Sequence, residues 1–369
     1  MRNKPLPVSS IALAGAVLAA CGGGDRDSRP AAGGADSGTG STVSATPLPD
    51  GELAYVTNED SQELTVIAVA NDSVVATIPV GTRPRGVKVS PDGRTVYVAL
   101  SGSPKCPPTM PDAECEKLKV DKSKDGIAEV DVRARKVTRV LPGGSDPEQF
   151  DITGDGSRLY IANEDAGTAS IVDVKSGSID TTVTVGAEPE GVRISPDGKH
   201  VYVTAESDHS LHVMDATTGR QVAAINVDKR PRDLAFTPDG KRAYATAEMG
   251  GTVSVIDVPT HKVVQVIRMP KDARPMGVRV TDDGKRVFVS TGRGGTVEVI
   301  DAATGRIVGS VKVGTRPWGI ALSSDGRKLY TANGPSNDVS VVNTGTLTVI
   351  KKIPVGKLPW GVAIGRSPA

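Results

Sequence analysis

The chain has 369 residues, of which 44 are Lys or Arg and 43 are Asp or Glu, so its formal net charge is +1. A nearly neutral chain offers no bulk electrostatic attraction to nucleic acid, and we expect no nucleic-acid partner. Its four histidines are dispersed and it has no C-x-x-C-H motif, which argues against a haem or zinc centre. We therefore expect neither a cofactor nor a metal.

The first segment, 1–20, is typical of a secretory signal, because two basic residues precede an apolar run that is too short to span a bilayer. The string LAAC that ends at Cys21 resembles a bacterial lipoprotein box, in which Cys21 is lipidated after cleavage. An ordinary signal peptide with an incidental cysteine is the alternative. Lipidation predicts a periplasmic protein whose membrane contact is a lipid anchor, and by the same resemblance Gly22 favours the outer membrane.

The next segment, 21–48, is rich in Gly, Ser, Ala, Thr and Asp and lacks hydrophobic periodicity. This composition is typical of a flexible tether. Its root-mean-square span is on the order of 30 Å.

A repeat of about 42 residues occupies 49–369. The same place in each repeat is taken by an aromatic residue: Tyr55, Tyr97, Tyr160, Tyr202, Tyr244, Phe288 and Tyr330. A proline lies thirteen residues before six of these: Pro84, Pro147, Pro189, Pro231, Pro275 and Pro317. A seventh proline, Pro359, lies near the C-terminus, while Tyr55 near the N-terminus has no proline before it. The two ends therefore complete one repeat between them.

Each repeat contains four runs with period-two alternation, such as GVRISP, HVYVTA, LHVMDA and QVAAINV, separated by turn residues. These patterns predict four β-strands per repeat, with glycines of positive φ in the tight turns at Gly93, Gly198, Gly240 and Gly284. Seven such units predict an all-β fold, a seven-bladed β-propeller with four antiparallel strands per blade. Residues 360–365 are expected to pair with 52–80, so that the N- and C-terminal segments close the ring.

The strings AYVTN and RPRGVKVSPDGRTVYV resemble the YVTN family of bacterial β-propeller repeat proteins, over about 49–365. The resemblance implies a periplasmic protein that associates with redox systems, including quinone-cofactor alcohol oxidation. Propellers serve as binding scaffolds, lactonases, lyases and haem proteins alike, so the fold leaves the function open.

The residue after each proline varies around the ring, and we expect these seven residues to rim the central channel and bind a ligand: Arg85, Glu148, Glu190, Arg232, Met276, Trp318 and Trp360. A ring of cross-blade ion pairs is the alternative for the charged members. The two tryptophans, in adjacent blades, indicate a stacking site or a partner anchor, or else structural cover beneath a loop.

An inserted loop, 101–125, lengthens the first full blade, since Pro84 and Pro147 are 63 residues apart instead of 42. A loop of this length is typically functional or disordered. We expect it on the same face as the tryptophans. We assign its cysteines, Cys106 and Cys115, to each other as a disulfide, which the periplasm would permit.

No catalytic constellation is visible in the sequence, and we therefore expect a non-catalytic binding or scaffolding module. It would be a monomer that holds a small molecule, a peptide or an envelope protein over the funnel, accessory to periplasmic redox metabolism. The alternative is a propeller enzyme of lactonase or lyase type. Its acid–base and oxyanion groups would be Glu148, Glu190, Arg232 and His209.

Overall fold

The structure is a computed structural model that describes residues 47–105, 110–115 and 117–367. The expected signal segment, the lipidated Cys21 and nearly all of the expected tether lie outside these residues. The same holds for Cys106, one half of the expected disulfide.

The described residues form seven four-stranded antiparallel sheets. The strands of the first half are β1 (Glu52–Asn58), β2 (Glu63–Ala68), β3 (Ser73–Pro79), β4 (Val87–Val89), β5 (Thr95–Leu100), β6 (Gly126–Asp131), β7 (Lys136–Leu141), β8 (Pro147–Ile152), β9 (Arg158–Asn163), β10 (Thr168–Asp173), β11 (Ser178–Thr184), β12 (Pro189–Ile194), β13 (His200–Ala205) and β14 (Ser210–Asp215). Those of the second half are β15 (Gln221–Asn226), β16 (Pro231–Phe236), β17 (Arg242–Ala247), β18 (Thr252–Asp257), β19 (Lys262–Arg268), β20 (Val278–Val280), β21 (Arg286–Ser290), β22 (Thr296–Asp301), β23 (Arg306–Lys312), β24 (Pro317–Leu322), β25 (Lys328–Asn333), β26 (Asp338–Asn343), β27 (Thr348–Pro354) and β28 (Pro359–Arg366).

Six sheets, blades 1 to 6, use consecutive strands from β4 to β27, and blade 7 combines β28 with β1, β2 and β3. Short helical turns interrupt the loops: α1 (Asp112–Cys115) and the 3-10 turns Lys122–Lys124, Glu164–Ala166, Gly292–Gly294 and Gly334–Ser336. The expected seven-bladed propeller with four antiparallel strands per blade is confirmed.

Blade 7 closes the ring as expected, because its inner strand comes from the C-terminal part of the chain. The antiparallel pairing of β1 with β28 places Leu53 opposite Gly365 and Tyr55 opposite Ala363. This closure leaves neither end of the ring of blades without a neighbour, so no blade has an unprotected face.

The repeated aromatic residues fill the spaces between neighbouring blades. Tyr202 of blade 3 is fully buried and packs with Leu234 and Ala243 of blade 4. Its hydroxyl lies 2.7 Å from Nδ1 of His261, which satisfies the polar end of a large apolar ring. The equivalent residues are all at most 4% exposed, and they join each blade to the next.

In five of the seven blades, a glycine two residues after the proline allows neighbouring inner strands to approach closely. At Gly191 a Cβ atom would lie 2.5 Å from the carbonyl oxygen of Arg232 in the next blade. The amide of Gly191 instead donates to the Thr204 hydroxyl, at 2.7 Å, and that hydroxyl donates to the Arg232 carbonyl at 3.4 Å. The recurring Pro-x-Gly segment therefore sets the radius of the central channel.

The tight-turn glycines behave as the sequence predicts. Gly93, Gly198, Gly240 and Gly284 have φ between 67° and 71°, a backbone conformation that costs an L-residue with a side chain more than it costs glycine.

We expect Gly191→Ala to lower the free energy of unfolding by about 1–3 kcal/mol, because the new methyl group meets a backbone carbonyl that cannot move without widening the ring. Gly154→Ala is the matched control, since a Cβ there meets nothing within 4 Å. Chemical denaturation of both variants checks the prediction. Equal stability of the two variants would contradict the role assigned to the Pro-x-Gly segment.

Candidate functional site

A cavity of about 1060 Å³ opens at the centre of the propeller, on the face that carries the x-Pro-x loops. Each inner strand begins at or near its proline, so the residue that follows the proline projects into the channel at a fixed height. All seven residues expected at the rim line this cavity: Arg85, Glu148, Glu190, Arg232, Met276, Trp318 and Trp360. Their role in ligand binding stays a prediction.

The seven residues divide into two continuous arcs. Blades 1 to 4 contribute what we call the charged arc, which consists of Arg85, Glu148, Glu190 and Arg232. Blades 5 to 7 contribute the apolar arc: Met276, Trp318 and Trp360. One side of the cavity is therefore suited to ionic chemistry and the other to an apolar group.

Arg85 lies at the centre of a buried group of carboxylates, and it is itself 3% exposed. Its guanidinium forms ion pairs with Asp146 and Glu148 and lies 3.4 Å from the Glu164 carboxylate. Burial raises the pKa of Asp146, but the charge of Arg85, the hydrogen bond from Ser101 and the charges of Arg83 and Lys122 together outweigh burial and lower this pKa.

Arg232 has a similar environment on the other side of the charged arc. It forms an ion pair with Glu190 and lies 2.8 Å from Glu206 and 2.7 Å from Glu248. The alternative of cross-blade ion pairs is thus realised, but the pairs are buried rather than exposed. Buried pairs carry a desolvation cost that exposed pairs do not.

Glu164 stands apart from its neighbours because its pKa is raised. Burial raises the pKa of this half-buried carboxyl, the charge of Asp146 adds to the increase, and the charges of Arg85 and Arg232 only partly oppose it. Glu164 was not among the candidates identified from the sequence. Its signal was positional, since it follows the second strand of blade 2 at the mouth of the channel.

Three carboxylates of this region, those of Glu148, Glu164 and Glu190, each place an oxygen within 4.8 Å of the others. Such a set of oxygen ligands is one that a divalent cation accepts. The guanidinium groups of Arg85 and Arg232 already form ion pairs with Glu148 and Glu190, however. The expectation that the protein binds no metal stays a prediction.

A deeper tier of charged residues was not identified from the sequence. Lys88 lies 2.8 Å from Asp151, and Asp233 lies 2.7 Å from Arg193 and 3.0 Å from Arg279. Burial, helped by the charge of Arg193, lowers the pKa of Lys88 to about 8. Four of these five residues lie four positions after a repeat proline, so aligning the repeats at that position would have found them.

The apolar arc consists of half-buried side chains. The rings of Trp318 and Trp360 meet edge to face, with their centroids 6.0 Å apart. The guanidinium of Arg316 lies 5.2 Å from the centroid of the Trp318 ring, and the buried indole nitrogen of Trp318 has no hydrogen-bond partner among the described residues. This side therefore offers aromatic surface together with an unused donor.

His209, which the enzymatic alternative included, is not among the residues that line the cavity. Its backbone has φ of 55°, and its Nδ1 atom lies 2.9 Å from the Glu206 carbonyl oxygen. The ring is thus held against the loop backbone outside the lining of the cavity, and its acid–base role stays a prediction.

The described parts of the inserted loop lie on the same face as the cavity, as expected. Lys105 forms an ion pair with Asp60, and Lys122 forms one with Asp165. The part of the loop that contains Leu118 lines the cavity. The insertion therefore extends the wall next to the charged arc.

Within the described ranges, the structure contains no helix long and apolar enough to cross a membrane.

The described propeller is similar to several solved structures. A candidate 6-phosphogluconolactonase from Bacteroides fragilis has a TM-score of 0.70 and 19% identity, over 86% of this chain and 98% of that one. One from Bacteroides uniformis has a TM-score of 0.69 and 20% identity, over 86% and 100% of the respective chains. Hydrazine synthase from Kuenenia stuttgartiensis has a TM-score of 0.65 and 22% identity, over 77% and 95%. At these identities the likeness shows the shared fold. A comparison with curated proteins gives no match.

The family model described as "Lactonase, 7-bladed beta-propeller" matches residues 45–195 and 217–362. This match overturns the expectation of a non-catalytic binding or scaffolding module and favours the alternative of a lactonase-type enzyme. The expectation failed because the sequence does not show that carboxylates and guanidinium groups from different blades converge in one cavity. Since the match covers most of the chain, the protein belongs to the seven-bladed β-propeller lactonase family.

Proposed function

We propose that the protein is a hydrolase that opens the ring of a small cyclic ester in the central cavity. The observation that carries the proposal is Glu164, a carboxyl of raised pKa that lies beside Arg85 in the wall of the cavity. A carboxyl whose pKa is moved toward neutrality is suited to both accepting and donating a proton near neutral pH. Membership of a lactonase family supports the same reaction.

The reaction begins with water and an ionised Glu164. The carboxylate accepts a proton from the water molecule as the oxygen of that molecule adds to the carbonyl carbon of the lactone. The negative charge that develops on the carbonyl oxygen is stabilised by the guanidinium of Arg232, which lines the cavity. Arg232 is close to Glu164, because its partner Glu190 places a carboxylate oxygen within 4.8 Å of that of Glu164.

The tetrahedral intermediate then breaks the bond between the carbonyl carbon and the ring oxygen. The departing alkoxide takes the proton that Glu164 holds, which regenerates the carboxylate and gives a hydroxy acid. Water and lactone supply every atom of the product, so no further reactant is needed.

Arg85 positions the general base in this scheme. Its side chain is 4% exposed and forms ion pairs with Asp146 and Glu148, so it has little surface to offer a substrate. Its distance of 3.4 Å from the Glu164 carboxylate instead fixes that group and limits the rise of its pKa.

The proposal extends to where the enzyme acts. The signal-like segment 1–20 and the lipoprotein-like LAAC string support a periplasmic enzyme anchored through lipidated Cys21, with the outer membrane favoured. The resemblance to YVTN repeat proteins supports the same compartment, in which a Cys106–Cys115 disulfide would be stable. Its partner is the small-molecule substrate, it binds no nucleic acid, and it acts as a monomer.

We expect Glu164→Gln to lower kcat for lactone opening by at least about 100-fold, because the amide can neither accept nor donate the transferred proton. Acid release from δ-valerolactone and glucono-δ-lactone, corrected for spontaneous hydrolysis, measures the effect. Glu188→Gln is the matched control, since Glu188 is an exposed residue of the same loops that does not line the cavity. If the wild-type protein opened no lactone faster than spontaneous hydrolysis, the proposal would be contradicted.

The pH dependence tests the identity of the base. Because Glu164 must be ionised, kcat/KM should fall as the pH drops through its pKa, which lies above the ordinary glutamate value of about 4.3. Asp146→Asn removes a negative charge that raises this pKa, so the acidic limb of the profile should move to lower pH. Asp180→Asn, at an exposed position on β11, should leave the limb in place. A limb that moves to higher pH in Asp146→Asn would exclude Glu164 as the base.

We expect Cys21→Ser to release the protein from the membrane fraction of cells into the soluble periplasmic fraction, because serine cannot take the thioether-linked lipid. Fractionation followed by immunoblotting measures the distribution. A wild-type protein that is already soluble would contradict the anchor and leave the propeller chemistry unaffected.

A further inference from the structure

We propose that the substrate is an amphipathic lactone, whose ester meets the charged arc while an alkyl or aryl substituent lies against the apolar arc of Met276, Trp318 and Trp360. The inference rests on the proposed lactonase function and adds the class of substrate to it. It would distinguish this protein from an enzyme that opens the lactone of a polyhydroxylated sugar.

The division of the ring supports this class of substrate. The three apolar residues come from adjacent blades, whose inner strands are β20, β24 and β28. The four charged residues occupy the remaining, equally continuous part of the ring. A substrate that lies across the cavity therefore meets ionic groups at one end and apolar side chains at the other.

Next to the three apolar side chains the wall of the cavity is backbone, although Arg279, Arg293 and Arg316 of the same blades also line the cavity. Each apolar residue is followed by a glycine that also lines the cavity: Gly277, Gly319 and Gly361. A Cβ at these positions would lie 2.6–2.7 Å from a carbonyl of the next blade, so the space is kept by backbone contact. The corresponding residues of blades 2 and 4 are Gln149 and Asp233, which bring polar side chains into the channel.

The arrangement of the aromatic rings favours a substituent over a stacked sugar. Trp318 and Trp360 meet at an interplanar angle of 67°, and Arg316 lies over the Trp318 ring. A sugar ring that stacks needs one open indole face, and its hydroxyls would need partners that Met276 does not offer. A flexible alkyl chain or a small aryl group fits the angle between the rings and has no hydroxyl groups that need partners.

Two hydrogen-bond donors lie at the edge of the apolar arc. The indole N–H of Trp318 is buried and has no partner among the described residues. Arg316 likewise has no ion pair with any described residue, although its pKa is lowered by burial. Neither donor is assigned to the ester, which meets the charged arc, and an alkyl or aryl substituent beside them adds no hydroxyl group that needs a partner.

Three lactones separate the possibilities: γ-butyrolactone, γ-decalactone, which adds a hexyl chain to the same ring, and glucono-δ-lactone. We expect kcat/KM for γ-decalactone to exceed that for γ-butyrolactone by on the order of 100-fold, since each buried methylene contributes. Trp318→Ala and Trp360→Ala should lower the γ-decalactone value by about tenfold or more. Val308→Ala is the matched control and should leave the values for all three lactones within about twofold, because Val308 is an exposed apolar residue that does not line the cavity. Trp318→Phe, which keeps an aromatic ring and loses the N–H, should retain most of the preference for the chain.

A binding measurement keeps the inference separate from the chemistry. Both tryptophans of the chain belong to the apolar arc, so intrinsic tryptophan fluorescence reports on this surface alone. In Glu164→Gln, γ-decalactone should perturb the fluorescence at a concentration at least about tenfold lower than either of the other lactones. This result, together with no turnover of any of the three lactones by the wild-type protein, would uphold the apolar site and reject the proposed hydrolysis.

Turnover of all three lactones with similar kcat/KM, unchanged by the tryptophan substitutions, would overturn the inference and leave the hydrolase intact. A preference for glucono-δ-lactone in either assay would also overturn it. Thermal melts followed by circular dichroism show whether a loss of activity in Trp318→Ala or Trp360→Ala reflects unfolding.

Discussion

The antiparallel pairing of β1 with β28 is the interaction on which the cavity depends, because it turns a row of seven sheets into a ring. It also brings together the two arcs, since Trp360 ends the apolar arc and Arg85 begins the charged one. At this junction the Thr57 hydroxyl donates to the Arg85 carbonyl at 2.7 Å, and Gly361 leaves no room for a Cβ beside the same carbonyl, at 2.6 Å. Loss of the terminal strand would therefore separate the two halves of the site as well as open the fold.

Buried charge is the second constraint, and it favours a catalytic explanation over a structural one. A buried ion pair is often no more stabilising than well-packed apolar residues, because both partners lose their hydration. Here Arg85 and Arg232 each face several carboxylates in the wall of one cavity. Apolar side chains can occupy the same position of the ring, as Met276 and Trp318 do. Charged residues at this position in four adjacent blades are therefore consistent with the proposed hydrolysis.

The fold and the height of each rim residue could be predicted from the sequence, because aromatic and proline residues recur at a spacing that fixes every blade in the same register. The contacts between side chains of different blades could not be predicted from the sequence. Arg85 belongs to blade 1 and Asp146 and Glu164 to two different loops of blade 2, and their convergence depends on the radius of the channel and on side-chain direction. The raised pKa of Glu164 follows from that convergence. The positions of Lys88 and Arg193 in the deeper tier could have been predicted from the repeat pattern, because each residue lies four positions after a repeat proline.

The position after the proline can vary because the scaffold uses its backbone and leaves its side chain free. The carbonyl oxygens of Arg85, Met276 and Trp318 each accept a hydrogen bond from a Thr or Ser hydroxyl of the preceding blade, at 2.6–2.7 Å. This contact is the same whether the side chain is a guanidinium, a thioether or an indole. Substitution at this position therefore changes the chemistry of the cavity with little effect on ring closure. Seven repeats of one structural unit can in this way provide an ionic wall and an apolar wall in the same cavity.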